Sequence, residues 1–266
     1  MKKNLSFRFI LFCILSPVSC LLFVSGCGPQ EEASITSAPT QEVRPVAAKS
    51  FDPESAGVLK GSVRFEGEAP AVKKIPVKGN PECAVFHPGG TVDSEELLVK
   101  DGALQNVFVY IKEGLEGYSF NAPSEPVTIS NQKCVYVPHV SGAQAGQPLV
   151  LFNEDPTLHN IHAYSKNSSS FNVGLPFQGV KQTKKFAKPE VMVTLKCDVH
   201  PWMIGYVGVL DHPYFGVTGP NGGFELKNLP PGEYVIEAWH EKLGVQSQKI
   251  TIEPRETKEI VFKFSG

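Results

Sequence analysis

Hydrophobic and polar residues alternate in short runs along most of this chain, and turn-forming residues separate the runs. The runs lie at residues 61–65, 107–111, 148–152, 191–195, 206–210, 223–226, 233–239, 249–252 and 259–264. A period of two residues is typical of strands that bury one face. Strands at such spacing predict a β-sandwich or barrel, and no stretch shows a helical period of useful length. We therefore predict an all-β fold, with antiparallel pairing because no crossover helices separate the strands.

Composition supports this prediction and narrows the class of protein. The 266 residues include 24 Gly, 22 Pro, 17 Phe and 7 Tyr, a mixture that favours turns and strands. The hydrophobic fraction of 41% is enough for a core, which excludes a fully disordered chain. The formal net charge of −2 gives no reason to expect nucleic-acid binding. The length fits one or two domains.

The N-terminus has the pattern of an export signal. Lys2, Lys3 and Arg8 precede an uncharged apolar run over residues 9–24. This is the order of a secretory signal peptide, although the run also approaches the length of an uncleaved membrane anchor.

The residues that follow the apolar run favour the first interpretation. Val24-Ser25-Gly26-Cys27 resembles a bacterial lipobox, in which the chain is cut before the cysteine and the thiol is acylated. The resemblance implies a signal peptide over residues 1–26 and a lipid anchor on Cys27. The anchor would hold the protein to a membrane at the periplasmic or extracytoplasmic face of the cell envelope. Residues 27–56 lack periodicity and are rich in Pro, Ala, Ser, Thr and Glu, so we expect a disordered tether there.

The C-terminal region carries two turn motifs followed by alternating strands. Asn221-Gly222 is a hairpin turn signal, and Pro230-Pro231-Gly232 predicts a rigid turn. Together these motifs resemble the carboxypeptidase-regulatory-like (transthyretin-like) β-sandwich. The opening strands typical of that family lie far upstream, around residues 61–63 and 107–111. We therefore predict one small sandwich that is split between residues 57–119 and 213–266, with residues 120–212 inserted into it or lying beside it.

The segment between these two parts contains the sharpest motif of the chain, CDVHPWMIGYV at residues 197–207. It resembles the copper loop of cupredoxins, in the form found in amicyanin, and residues 153–162 resemble the strand that carries their first histidine. The resemblance implies a Greek-key β-sandwich and one mononuclear type 1 copper site. Its ligands would be His159, Cys197, His200 and axial Met203. Asn160, Pro201 and Trp202 would lie just outside the ligands, with Asn160 holding the loop through hydrogen bonds.

The chemistry of these residues supports copper on its own terms. A thiolate, two imidazoles and a weak thioether suit both Cu(I) and Cu(II), whereas a thioether is a poor zinc ligand. Alternation places His159 on the same strand face as Ile161, and His162 on the opposite face, which favours His159 as the ligand. Alternation also points Cys197 to the interior. The simpler alternative is a buried structural thiol at Cys197 and a surface histidine at His200.

Two further cysteines, Cys83 and Cys134, remain outside the proposed signal and the loop. In an oxidising compartment they can form a disulfide. They can also form a second metal site with His87 and His139, which follow them closely, or stay unpaired. Connectivity does not follow from sequence alone.

These observations leave two classes of function. The first is a lipid-anchored electron carrier with a redox protein partner, in which electrons pass at the edge of His200 beside Pro201 and Trp202. The alternative is a surface module that binds carbohydrate or protein, with structural copper or none. A copper enzyme is the weaker expectation, because four protein ligands leave no open position and no Ser-His-Asp set or carboxylate pair stands out.

Overall fold

The computed structural model describes residues 49–77 and 79–266. The predicted signal peptide, Cys27 and the tether up to residue 48 lie outside this part of the chain. Strands are nearly the only regular secondary structure of the described residues, which confirms the all-β prediction. They include no helix that is long and apolar enough to cross a membrane.

The elements are numbered in chain order. They are the 3-10 turn Pro53–Ser55, β1 (Gly57–Glu66), β2 (Lys74–Pro76), helix α1 (Pro81–Ala84), β3 (Thr91–Asp93), β4 (Val99–Lys100), β5 (Ala103–Leu104), β6 (Phe108–Glu113), β7 (Val127–Gln132), β8 (Val135–Val137), β9 (Val140–Gln144), β10 (Leu149–Asn153), β11 (His159–Tyr164), β12 (Phe171–Leu175), β13 (Lys181–Lys184), β14 (Glu190–Lys196), β15 (Ile204–Leu210), β16 (Phe215–Val217), β17 (Gly223–Leu229), β18 (Gly232–His240), β19 (Gly244–Ile252) and β20 (Thr257–Ser265).

Two sheets are built from strands near the two ends of the described chain. One has the order β17-β1-β5-β4, with β20 also paired to β1, and the other has the order β16-β6-β18-β19. Inward-facing side chains such as Leu59, Val63, Ile236 and Phe262 are fully buried and share one core. The first and last long strands are therefore neighbours in space.

Two other sheets use only strands between residues 127 and 210. Their orders are β13-β10-β7-β8 and β12-β11-β14-β15-β9. Ile129, Leu151, Ile161 and Leu195 belong to their shared core. The assignment of these sheets to a cupredoxin-like domain, and of the other pair to a carboxypeptidase-regulatory-like domain, stays a prediction.

Three strand pairs run parallel, so the expectation of antiparallel pairing throughout is wrong. These pairs are β1 with β20, β7 with β10, and β9 with β15. A parallel pair needs a crossover of a dozen residues or more, but the crossover need not be a helix. Between β7 and β10 it consists of β8 and β9, and β9 lies in a different sheet from the other three.

Residues 74–93, here called the cover segment, belong to neither of the two sheets built from the ends of the described chain. The segment consists of the ribbon β2–β3 with α1 between the two strands. Its buried residues Val77, Cys83 and Val92 belong to the same core as Cys197 and Met203. A two-stranded ribbon is not stable alone, and this one buries its apolar side chains against the 127–210 region.

Two glycines let the sheet β12-β11-β14-β15-β9 approach the sheet β16-β6-β18-β19 closely. Gly142 of β9 and Gly208 of β15 lie opposite each other. A Cβ at Gly208 would lie 2.3 Å from Phe108 Cζ, and one at Gly142 would lie 2.4 Å from Phe215 Cε2. Phe108 and Phe215, with ring centroids 5.6 Å apart, fill the space that these side chains would take.

Candidate metal centre

The first predicted ligand, His159, lies at the start of β11 and points to the interior. His159, Ile161 and Ala163 are each 0% exposed, while His162 is partly exposed and Tyr164 is 45% exposed. The predicted alternation therefore places His159 inside. His162 Nδ1 instead lies 3.2 Å from the carboxylate oxygen Oδ1 of Asp198.

The predicted ligand loop connects β14 to β15, which are hydrogen-bonded neighbours. Val193 and Leu195 point inward with Cys197, as expected, but Val191 is 37% exposed because the register shifts between Glu190 and Val193. Two backbone hydrogen bonds close the loop. The Cys197 N–H donates to the Met203 carbonyl at 3.2 Å, and the Met203 N–H donates to the His200 carbonyl at 2.9 Å.

The folded chain brings three donor atoms of the predicted set together. His159 Nδ1 and His200 Nδ1 lie 3.0 Å apart, and Cys197 Sγ lies 3.7 Å from His200 Nδ1. One donor atom from each residue fits within 4.8 Å of the other two. Two atoms bound to one ion at about 2.0–2.3 Å can have these separations, so this donor set fits a single metal ion. Met203, the fourth predicted ligand, is buried in the same core.

The electrostatics of Cys197 favour a metal-binding thiolate. Burial raises the pKa of the thiol, but hydrogen bonds with the His159 and His200 rings outweigh burial and lower the pKa to about 6. The thiolate is the form of cysteine that binds metals, and at neutral pH this cysteine therefore carries the required charge.

Asp155 orients the His159 ring from the side opposite the other predicted ligands. Its Oδ2 lies 2.9 Å from His159 Nε2, which leaves Nδ1 facing the other donor atoms. Its two oxygens also accept hydrogen bonds from the backbone N–H groups of Lys133 and Cys134, at 2.7 and 2.8 Å. A carboxylate that fixes a histidine ligand in this way is a common support for bound metals. Burial raises the pKa of Asp155, and the hydrogen bonds outweigh it and lower the pKa.

The turn that Asp155 binds has an unusual backbone. Lys133 and Cys134 connect β7 to β8 with φ values of 53° and 58°. A two-residue hairpin with both φ values positive usually contains Asn or Gly, and the β-carbon makes this region unfavourable for other residues. The Asp155 carboxylate stabilises the turn by accepting both of its N–H groups.

Asn160 connects β11 to the start of the predicted ligand loop. Its Oδ1 accepts from the Asp198 backbone N–H at 2.7 Å and lies 3.2 Å from Cys197 Sγ. Its Nδ2 donates to Asp198 Oδ2 at 2.9 Å and to Asn172 Oδ1 at 2.8 Å. The start of the loop is therefore held to β11 through one side chain.

Cys83 and Cys134 form a disulfide, with Cα atoms 5.8 Å apart. It joins α1 of the cover segment to the turn after β7. The histidines of the alternative second metal site do not converge on it. His87 Nε2 lies 2.8 Å from the Lys133 carbonyl, and His139 pairs with Glu241.

The disulfide lies against the predicted ligand His200. Both of its sulfur atoms and one ring nitrogen of His200 are within 4.8 Å of one another. His200 is only 2% exposed. The disulfide of the cover segment packs on the ring. The expected passage of electrons at the edge of His200 beside Pro201 and Trp202 stays a prediction. Pro201 is exposed and Trp202 is partly buried.

Sequence analysis did not identify Asp155 as a buried support of the site. Asp155 is 2% exposed. It lies four residues before His159 in a loop, and its partners Lys133 and Cys134 lie about twenty residues earlier. No local pattern links such positions. The Asp155 carboxylate and its three hydrogen-bonding partners come together only in the folded structure.

No protein-family model and no curated protein matches the chain. Solved structures that resemble parts of it include a copper-containing nitrite reductase from Thermus scotoductus SA-01, at 22% identity and a TM-score of 0.31, over 34% of this chain and 23% of that one. A purple cupredoxin from Nitrosopumilus maritimus aligns at 23% identity and a TM-score of 0.27, over 31% of this chain and 98% of its own. A variant of amicyanin in its reduced Cu(I) form aligns at 18% identity and a TM-score of 0.29, over 33% of this chain and 84% of its own. This chain thus spans about a quarter of the nitrite reductase.

Proposed function

We propose that this protein binds one copper ion through His159, Cys197, His200 and Met203, and transfers single electrons. The observation that carries the proposal is the convergence of Cys197 Sγ with the Nδ1 atoms of His159 and His200. A soft thiolate with two imidazoles is a donor set typical of blue-copper electron-transfer sites. Bound copper supplies a one-electron couple between Cu(II) and Cu(I).

The residues around the ligands keep the site in one geometry. Asp155 fixes the ring of His159, Asn160 fixes the start of the loop, and the backbone hydrogen bonds of Met203 close it. His159, Cys197, His200 and Met203 are each at most 3% exposed, so water is largely excluded. A rigid, dry set of ligands needs little rearrangement when the charge on the site changes, which favours electron transfer.

We do not expect catalysis on a substrate at this centre. The four proposed ligands would leave a copper ion no open position for a substrate, and the Met203 thioether would be the weak ligand that tunes its potential. The alternative, a surface module for carbohydrate or protein in which copper is structural or absent, predicts no reversible reduction of the site.

A visible spectrum of protein loaded with Cu(II) tests the proposal. Strong absorption near about 600 nm is expected from thiolate-to-copper charge transfer. Cys197→Ser should abolish this absorption, and Met203→Leu should leave copper bound and raise the potential. His159→Gln should weaken copper binding, while His162→Gln, on the opposite face of the same strand, should not. A wild-type protein that binds no copper, or whose Cu(II) form cannot be reversibly reduced, would make the binding-module alternative the better one.

We also propose that the protein works at the cell envelope through a lipid on Cys27, with the residues between Cys27 and the 3-10 turn Pro53–Ser55 as the tether to the folded part. A tether of this length lets a carrier reach a redox protein or other partner while it stays at the membrane. Cys27→Ala should release the protein from the membrane fraction and abolish labelling by a fatty acid. Retention of both in the variant would refute the anchor.

A further inference from the structure

A cavity of about 640 Å³ lies beside the proposed copper loop. Pro201, Trp202 and Met203 form one wall, and residues 73–76 and 92–96, at the two ends of the cover segment, form another. Cavities of roughly 300–1,000 Å³ are typical of small-molecule sites. The cavity is therefore large enough for a small organic or inorganic molecule next to the ligand loop.

His200 itself does not reach this cavity. Its ring is enclosed by the Cys83–Cys134 disulfide and is absent from the residues that line the cavity. An external molecule cannot touch the ring, so any electron that passes through His200 must continue through a neighbour.

Trp202 is the aromatic residue that lies between His200 and the cavity. The centroids of its ring and the His200 ring are 5.2 Å apart. Its indole N–H donates a hydrogen bond to the Cys134 carbonyl at 2.9 Å, which fixes the ring. It is only partly buried and lines the cavity. Because electron transfer weakens steeply with distance, a held aromatic ring between His200 and the cavity shortens the route.

The charges around the cavity favour a cation. Four carboxylates line it, from Asp93, Glu95, Glu96 and Glu241, against the two lysines Lys73 and Lys74. Asp93 pairs with Lys74, and Glu95 and Glu241 lie on either side of His139. Glu96 lies 3.8 Å from Nζ of Lys242, which does not line the cavity, so the four carboxylates still outnumber the lysines. Recesses lined mainly by one sign of charge concentrate ligands of the opposite sign.

We propose that this cavity binds a small, positively charged redox molecule that exchanges one electron with the copper centre through Trp202. In the reducing direction the molecule loses one electron and Cu(II) becomes Cu(I); no bond forms or breaks and no proton moves. The electron transfer rests on the proposed copper function, whereas binding of the cation to the cavity does not.

Metal-free protein tests the binding step alone. Trp202 and Trp239 are the two tryptophans of the chain, so Trp239→Phe leaves Trp202 as the sole fluorescent indole. Hexaammineruthenium(III), a compact cation, should quench Trp202 with saturation, and hexacyanoferrate(III), an anion, should not. Glu96→Gln should weaken the saturable quenching more than Glu225→Gln, a matched change on β17 away from the cavity. Equal quenching by both probes, or no difference between the two variants, would overturn the proposal.

Copper-loaded protein tests the route. The rate of reduction by hexaammineruthenium(II) should fall by an order of magnitude in Trp202→Leu and stay close to wild type in Trp202→Phe, which keeps an aromatic ring. Phe177→Leu, at an exposed aromatic residue outside the cavity, should leave the rate unchanged. Cytochrome c, a cation too large for the cavity, should react slowly whatever residue stands at position 202.

The outcomes separate this inference from the proposed function. A wild-type protein without a copper spectrum refutes the electron carrier, while the quenching experiment still decides on the cavity. A blue, reversible protein in which Trp202→Leu reacts at the wild-type rate refutes the Trp202 route alone. Rapid, Trp202-dependent reduction by cytochrome c refutes the small-molecule occupant and indicates a docked protein instead.

Discussion

Replacing Asp155 with Asn should weaken both the fold and metal binding, because one carboxylate supports three groups at once. Its oxygens accept from the Lys133 and Cys134 N–H groups and lie 2.9 Å from His159 Nε2. Asn has the same shape but only one acceptor oxygen and no charge. It loses least if that oxygen takes the Oδ2 position, which serves Cys134 and His159, and its NH₂ group then faces the Lys133 N–H.

The expected magnitude follows from this count. One hydrogen bond is lost in a buried place and two others become bonds to a neutral group, so we expect the free energy of unfolding to fall by about 2–3 kcal/mol. Copper affinity should fall about 10- to 100-fold, the usual effect of changing the group that orients a histidine ligand. A neutral amide polarises the His159 ring less and holds its tautomer less firmly.

Urea unfolding of the metal-free protein gives the first quantity, and competition with a chelator of known copper affinity gives the second. Glu154→Gln is the matched control, because it makes the same chemical change one residue earlier, where the carboxylate accepts from Gln132 Nε2 near the surface. If Asp155→Asn and Glu154→Gln have the same stability and the same copper affinity, Asp155 does not support the site.

Three other perturbations test the packing of the fold. The Cys83→Ala, Cys134→Ala double variant should lose about 2–4 kcal/mol of stability to urea, since the disulfide joins residues separated by 51 positions; a reductant should then destabilise only the wild type. Burial lowers the pKa of His240 to about 4, so between pH 6.5 and 4 the unfolded chain binds a proton that the folded chain does not. Urea titrations across that range should show a loss of about 3 kcal/mol in the wild type that is missing in His240→Asn, whose oxygen can still accept from Lys242 and Leu243. Gly208→Ala should cost about 1–3 kcal/mol by overpacking against Phe108, whereas Gly174→Ala, with no atom within 4 Å of the new Cβ, should unfold at nearly the wild-type urea concentration.

Local patterns predicted the strands well because each strand must bury one face. The alternation around Val193 and Leu195 is carried through to Cys197, and that around Ile161 placed His159 inside. Both depend only on the two-residue period of a strand, which is visible in a few consecutive residues. The same rule failed at Val191, where a register shift in the sheet reverses the face.

Contacts between segments that are distant in the sequence could not be predicted from local sequence patterns. The pairing of β1 with β20 and the packing of Cys83 on His200 join positions more than a hundred residues apart. The predicted boundary at residue 119 treated residues 74–93 as part of the split sandwich, although their apolar residues are buried with Cys197. Nothing in the composition of that short segment indicates which core it covers.

The turn at Cys134 explains why the ligand loop, the cover segment and the cavity belong to one unit. The Cys134 N–H binds Asp155 and so holds His159, its sulfur binds Cys83 and so holds the cover segment, and its carbonyl accepts the indole N–H of Trp202. We therefore expect a change in this turn to affect His159, the disulfide that encloses His200 and the cavity wall at Trp202 together. The tight turn with positive φ values at Lys133 and Cys134 thus places the N–H, the sulfur and the carbonyl of one residue against three different neighbours.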